Sequence, residues 1–355
     1  MAGTDAPRTA GAPAGAWGPL TRMMRQFSAG LGTQMGVLLV IDVLFVIGLS
    51  LSNRVFLTPA NLLAVGVAMA SNVLAAMGST LVLLTGGFDL SIGSTYGLAG
   101  IITAHALLLG VPVWPALGLG LLTGLLVGLI NGLIITKIEI NPFIATMGTM
   151  TIGRGLINIL TKGYSISGLP PAFMRLIDAK ILGLPPSVVV MLLAFLITDQ
   201  LLRRWRPARQ LYYIGGSPNY ARLIGINVAG MVIAAYVISG GLAAIGGLLF
   251  TMRTGAASQQ AGTGLEMMAL LAPFLGGVGF GGEGTAFGAF LGATLIALIV
   301  NAIQLFGLPV LWQNVITGSF LIVAALIGMS RVRRASRQQR RARGQLEAES
   351  GPAPR

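Results

Sequence analysis

Few residues in this 355-residue chain are equipped for chemistry. Asp89 stands in Leu84-Thr85-Gly86-Gly87-Phe88-Asp89-Leu90-Ser91-Ile92-Gly93-Ser94, between two long apolar runs. A carboxylate is costly in such surroundings, so it is read as a structural or gating group, with direct solute contact as the alternative. In the structural role it pairs with a basic group or caps a helix starting near Leu90. Gly86 and Gly87 permit the sharp turns and close chain approach that larger residues resist. Asp42 falls in the middle of another apolar run and Glu266 near the end of one, and both are expected to face the interior of a helix bundle. Arg154 lies within a further run and is expected to pair with an acid or with helix-end carbonyls.

Other chemistries are excluded. With no cysteine there are no disulfides, thiol nucleophiles or thiolate metal sites, and His105 as the single histidine rules out a histidine metal cluster. His105 is read as an interfacial polar residue. The chain has no GxxxxGK[ST] loop, HExxH or GxSxG pattern, so no catalytic residue is assigned and an intramembrane enzyme is the weakest reading. The chain has no means of its own to hydrolyse ATP. Active transport would draw on an ion gradient or on a separate subunit.

The elements that must hold these groups are membrane helices. The composition is 54% hydrophobic and 9% charged, against about 25% charged in ordinary soluble domains. A hydrocarbon layer of about 30 Å takes roughly 20 apolar residues to cross. Runs of that kind fall near 35–52, 60–84, 90–110, 114–136, 142–161, 186–202, 228–250, 264–280, 285–306 and 309–329. The expected fold is therefore an all-α polytopic membrane protein with about ten transmembrane helices. Pro273 and its flanking glycines threaten the eighth run, and Arg154 weakens the fifth. With both termini cytoplasmic, the inner segments hold seventeen Lys and Arg residues and the outer ones five, as the positive-inside rule requires. The net charge of +13 is assigned to this orientation, with membrane lipid as the partner and nucleic acid as none.

Residues 1–33 read as a disordered cytoplasmic lead-in, with Leu20 to Phe27 as an interfacial piece. Residues 34–330 form the membrane domain and 331–355 a basic disordered tail. Gly120, Gly124, Gly128 and Gly132 recur every four residues, as do Gly284, Gly288 and Gly292. Such stripes are packing surfaces, with a sliding surface as the alternative. A faint echo links Gly86-Gly87-Phe88-Asp89 to Gly281-Gly282-Glu283. For a neutral polyol, Asn72, Asn131, Asn301 and Gln304 are candidates to line a path, each equally suited to holding helices together.

The segment at about 203–227 lies outside the apolar runs. Ser217 suits a helix N-cap, Pro218 the first helical position and Gly225 the stop, which predicts a helix of about two turns. Such a helix is a lever for a partner to push; an ordinary basic loop is the alternative.

The Thr85–Ser94 motif, then Asn141-Pro142-Phe143-Ile144-Ala145-Thr146-Met147-Gly148-Thr149-Met150, then Gly215–Ile226, then Gly276 to Gly288, resemble in order and spacing the permease subunit of ribose-type sugar ABC importers. The likeness covers about residues 55 to 330. It implies a monosaccharide pore in a bacterial inner membrane, made with a second permease copy or a paralogue. It also implies a partner with two nucleotide-binding domains that binds ATP and Mg, a periplasmic sugar-binding protein, and no cofactor on this chain. Ser217, Pro218, Asn219, Tyr220, Ala221, Arg222, Leu223 and Gly225 would seat in the ATPase. Gly86, Gly87, Asp89, Ser91 and Gly93 would form a gating signature. Relatives often carry Glu-Ala-Ala where this chain has Asn219-Tyr220-Ala221, and Glu-Leu-Asp-Ala-Ile where it has Glu266-Met267-Met268-Ala269. The wider superfamily also moves nucleosides and amino acids. The rival from another class is an ion-coupled secondary transporter using Asp89 or Glu266.

Overall fold

A computed structural model describes residues 34 to 309 and scattered positions between 311 and 322. The expected lead-in with Leu20–Phe27, the tail 331–355 and most of the tenth run lie outside the described residues. Within them the chain forms α1 (Gln34–Ser52), α2 (Pro59–Leu84), α3 (Ile92–Leu108), α4 (Val113–Lys137), α5 (Pro142–Thr161), α6 (Pro171–Asp178), α7 (Pro186–Arg204), α8 (Arg206–Gly216), α9 (Pro218–Leu223), α10 (Val228–Thr254), α11 (Leu265–Leu275) and α12 (Ala286–Leu305). Among the described residues, extended pairing is confined to isolated bridges such as Ile166 with Ala257.

Among the described residues seven helices are long and apolar enough to cross a membrane, namely α1, α2, α4, α5, α7, α10 and α12, and α3 and α11 are shorter apolar helices. These nine fall on the first nine expected runs. The eighth, expected over 264–280, shrinks to Leu265–Leu275. Its 11 residues rise about 16 Å, roughly half the hydrocarbon thickness. Pro273 withdraws a donor from its last turn, and Gly277 at φ 85° turns the chain away.

The centre of the bundle is α10, against which both α2 and α3 pack. α3 is buried along nearly its whole length, as a helix apolar on every face must be. α4 lies against α10 and α3, α5 against α3 and α4, α11 and α12 against α2, and α1 mainly against α12. The outer faces are apolar, with Leu44, Leu122, Ile152 and Ile197 exposed. That is a surface for hydrocarbon, since a continuous apolar exterior is foreign to soluble monomers.

The glycine stripes lie at helix crossings. A Cβ built on Gly124 would overlap the Gly240 carbonyl of α10, and one on Gly128 would lie 2.8 Å from the Val237 Cα. Along α12, a Cβ on Gly288 would overlap the Gly276 backbone and one on Gly292 that of Ala272. Backbone meets backbone at these positions, so the packing reading of the stripes holds.

Candidate functional site

The residues between α2 and α3 form an extended segment inside the bundle. Non-helical backbone at membrane depth must find its partners within the protein. Here Gly86 N–H donates to the Leu83 carbonyl (2.9 Å) and Gly87 N–H to the Val82 carbonyl (3.2 Å), while the Tyr236 hydroxyl donates to the Phe88 carbonyl (2.6 Å). Gly86 takes φ 81°, and a Cβ on Gly87 would stand 2.7 Å from the Tyr236 hydroxyl.

Asp89 is 1% exposed. Its Oδ1 accepts from the Ser91 N–H (3.0 Å) and the Ser91 hydroxyl (2.6 Å), and its Oδ2 accepts from the Ser239 hydroxyl (2.7 Å). Ser91 in turn accepts from Asn131 Nδ2 (2.8 Å), whose Oδ1 accepts from the Thr149 hydroxyl (2.8 Å). One chain of hydrogen bonds thus joins α10, the start of α3, α4 and α5. Ser239 is eleven residues into α10, which places the network about 16 Å from the start of that helix. Of the two partners expected for Asp89, neither is found as such among the described residues: no basic group pairs with it, and in place of capping α3 it accepts from the N–H and hydroxyl of Ser91, the residue at the helix's N-cap. Ser239 and Tyr236 belong to no motif of the sequence, and Thr149 lies in the Asn141–Met150 motif with no role of its own marked there. Ser239 stands beside the Gly240-Gly241 pair in an otherwise apolar helix, and that was its only signal.

The other polar candidates divide. Asn131 belongs to the network. Asn301 exchanges two hydrogen bonds with Asn61 (2.9 and 3.2 Å), tying α12 to α2. Gln304 is exposed near the end of α12, and Asn72 is half-buried on α2 with no side-chain hydrogen bond to another described residue. Arg154 meets the first of its two expectations, with Nη2 3.8 Å from Glu266 Oε2; its Nη1 donates not to a helix end but to the Ala261 carbonyl (2.9 Å) in the turn between α10 and α11. Gly93, in the first turn of α3, faces Glu266 and the Gly262 carbonyl, which occupy the space a Cβ would need. His105 Nε2 lies 3.0 Å from the Leu160 carbonyl and links α3 to α5. Asp42 faces the bundle as expected, buried on the side of α1 that carries Leu38 and Leu49.

The short helix expected near 217–225 is α9. The Ser217 hydroxyl accepts from the Tyr220 N–H (3.2 Å), Pro218 opens the helix, and Gly225 at φ 82° ends it. Arg222 donates to Asn219 Oδ1 (3.0 Å). Tyr220 and Leu223 point outward, 56% and 85% exposed, whereas Ala221 is fully buried in the chain's own fold. The outer face of α9 therefore includes Tyr220, Arg222 and Leu223, and Ala221 seats the helix on the rest of the fold.

The preceding amphipathic α8 was not expected from the basic run. It buries Ala208, Leu211 and Ile214. Gly215 lies against the Leu84 carbonyl and Gly282, and the Tyr212 hydroxyl donates to the Gly284 carbonyl (3.1 Å). Burial, with Asp199 close by, pushes the Tyr212 phenol up and keeps it a donor. The two glycine segments of the sequence echo meet here, with the Phe88 and Phe280 ring centroids 4.5 Å apart. A cavity of about 610 Å³ opens beside them, lined by Thr85, Thr136, Glu139, Arg222 and Asn227. Among the described residues no group of three or more His, Asp or Glu side chains is placed to hold a metal.

Residues 61–325 match the family described as branched-chain amino acid transport system / permease component. The D-allose transport system permease protein of Escherichia coli (strain K12) is 33% identical over 294 residues, 82% of this chain and 90% of its own. The ribose import permease protein of Bacillus subtilis (strain 168) is 36% identical over 310 residues, 86% of this chain and 96% of its own. The autoinducer 2 import system permease protein of Photorhabdus laumondii is 35% identical over 276 residues, 76% of this chain and 83% of its own.

Proposed function

The chain belongs to the branched-chain amino acid transport system / permease component family, and from that premise we propose that it is the membrane subunit of an ABC importer for a monosaccharide. The observation that carries this reading is the match to permeases named for ribose and D-allose over more than four fifths of the chain. ATP is hydrolysed by a separate subunit with two nucleotide-binding domains, which holds the ATP and Mg, and a periplasmic binding protein delivers the sugar. The pore pairs this chain with a second copy or a paralogue in a bacterial inner membrane. Residues 34–330 form the membrane domain with about ten spans, and both termini and α8–α9 are cytoplasmic.

The mechanism follows from what α8 and α9 touch. The exposed Tyr220 and Leu223 of α9, flanked by Arg222, meet the ATPase. A push on α9 passes through Ser217 to α8, whose Gly215 and Tyr212 bear on Leu84, Gly282 and Gly284. Leu84 leads directly into the segment holding Asp89. The Ser239–Asp89–Ser91–Asn131–Thr149 chain then registers the movement on three further helices. Gly86, Gly87, Asp89, Ser91 and Gly93 act as a gate element in this scheme. With three donors already on its carboxyl oxygens and almost no exposure, Asp89 is a poor ion ligand, which argues against the ion-coupled alternative at that residue.

Vesicles carrying the chain with the ATP-binding and binding proteins encoded beside its gene test the reading. They should accumulate radiolabelled D-ribose, D-allose or another aldose when ATP is supplied inside. ATP-dependent uptake of a branched-chain amino acid or a nucleoside, with no aldose moved, would replace the sugar.

A further inference from the structure

The ion pair between α5 and α11 is incomplete in an informative way. Arg154 spends Nη1 on the Ala261 carbonyl, and Glu266 Oε1 accepts from the Gly264 N–H (3.2 Å). The atoms that face each other, Arg154 Nη2 and Glu266 Oε2, are both buried and neither has a hydrogen-bond partner. Their separation of 3.8 Å is beyond hydrogen-bond length. Where this chain needs a plain ionic tie it closes one, as Arg203 and Asp199 do at 2.7 Å. A buried donor and a buried acceptor left open together are costly.

Their position is also particular. Arg154 is twelve residues into α5, about 18 Å from its start, and Glu266 opens the half-length α11. The pair thus lies deep in the bundle, where a discontinuous helix begins. Beside it Gly93 has no side chain, and a Cβ there would overlap Glu266 Oε2 and stand 3.2 Å from Arg154 Nη2.

The chemistry of the gap selects an occupant. A cation satisfies the carboxylate and repels the guanidinium, and an anion does the reverse. A neutral hydroxyl oxygen about 2.8 Å from each atom, water's at rest or a sugar's in its place during passage, accepts from Nη2 and donates to Oε2, satisfying both without net charge. We propose that Arg154 and Glu266 form an intramembrane station that takes one hydroxyl group of a neutral sugar during its passage. The proposal rests on the monosaccharide reading and adds to it a site that discriminates hydroxyl position.

The test uses the assembled complex in proteoliposomes with its ATP-binding subunit and saturating binding protein. A panel of radiolabelled aldopentoses and aldohexoses identifies a transported sugar, whose singly deoxygenated analogues are then compared with it. In the wild type one deoxy position should slow transport by about tenfold or more. In Glu266→Gln and Arg154→Lys, compared only as complexes intact by size exclusion, that difference should fall below about twofold. Equal slowing of sugar and analogue, or unaltered discrimination, overturns the station and leaves a structural tie. A second measurement leaves the pair untouched. The chain has no cysteine, and Thr263→Cys places one on an exposed residue three before Glu266. The transported sugar should slow its thiol labelling more than the deoxy analogue does; equal labelling overturns the proposal. A wild-type complex that moves no aldose removes the monosaccharide reading itself, and the station with it.

Discussion

Replacing Asp89 by Ala and by Asn separates the shape of the buried network from its hydrogen bonding. Alanine strands three donors, the Ser91 N–H and the hydroxyls of Ser91 and Ser239, at a site 1% exposed. Each unsatisfied buried group costs about 1–3 kcal/mol, and a serine hydroxyl can recover part of that on a helix carbonyl, so the expected loss is about 3–5 kcal/mol. Asparagine keeps an acceptor for Ser91 and offers Nδ2 to Ser239, whose hydroxyl then accepts, for a loss of about 1–2 kcal/mol. The assay is the thermal midpoint of monodisperse protein in detergent by fluorescence-detected size exclusion, with ATP-driven uptake beside it. D89A should fall well below D89N, and S239A should lie between wild type and D89A. Because the two residues share one bond, the D89A/S239A double variant should lose less than the sum of the singles. Uptake in D89A should slow equally for every transported aldose. Equal stability of D89A and D89N would refute the network, and a changed sugar preference at normal rate would refute the gating role.

Other predictions follow from the crossings and the lever. Gly124→Ala sets a methyl group against the Gly240 backbone and should cost about 1–3 kcal/mol, while Gly118→Ala on the same helix meets nothing within 4 Å and should be neutral or slightly stabilising; equal effects would refute the packing role of the stripe. Leu223→Glu at the exposed end of α9 should abolish ATP-coupled uptake with membrane insertion intact, and normal uptake would remove α9 as the ATPase contact. Ala221→Glu forces charge into a fully buried position and should lower the thermal midpoint as well as uptake, which Leu223→Glu should not. Tyr212→Phe removes only the bond to the Gly284 carbonyl; uptake per ATP hydrolysed should fall while folded yield stays near wild type.

Element positions were legible because membrane helices write themselves as apolar runs, and α9 because Ser217, Pro218 and Gly225 punctuate it. The half-length α11 was signalled by Pro273, but its depth was not, since depth depends on which neighbours the turn meets. Asp89 drew notice as an acid between apolar runs. Its distant partner Ser239 lies 150 positions away, and Asn131, which reaches it only through Ser91, lies 42 away; a lone serine or asparagine in an apolar helix looks alike as glue, path or network. Asn131 and Asn301, both candidates for the path, are held by Ser91 with Thr149 and by Asn61. α8 was hidden because Arg206 and Arg209, continuing the run from Arg203 and Arg204 at the end of α7, read as topology signal, while Leu211 and Ile214 are too few to mark an amphipathic face. Ala221, grouped with the contact residues by resemblance, is turned inward by the pitch of a six-residue helix.

In the proposed scheme the chain is a conduit with no energy source of its own, moved by a partner at α9. The most direct measurement reconstitutes the purified chain alone in proteoliposomes, imposes a proton or sodium gradient, and follows radiolabelled aldose, then repeats the experiment with the ATP-binding subunit, the binding protein and ATP. The chain alone should show no concentrative uptake under either gradient, and the full assembly should show ATP-dependent uptake. Accumulation by the isolated chain down an ion gradient would contradict the scheme.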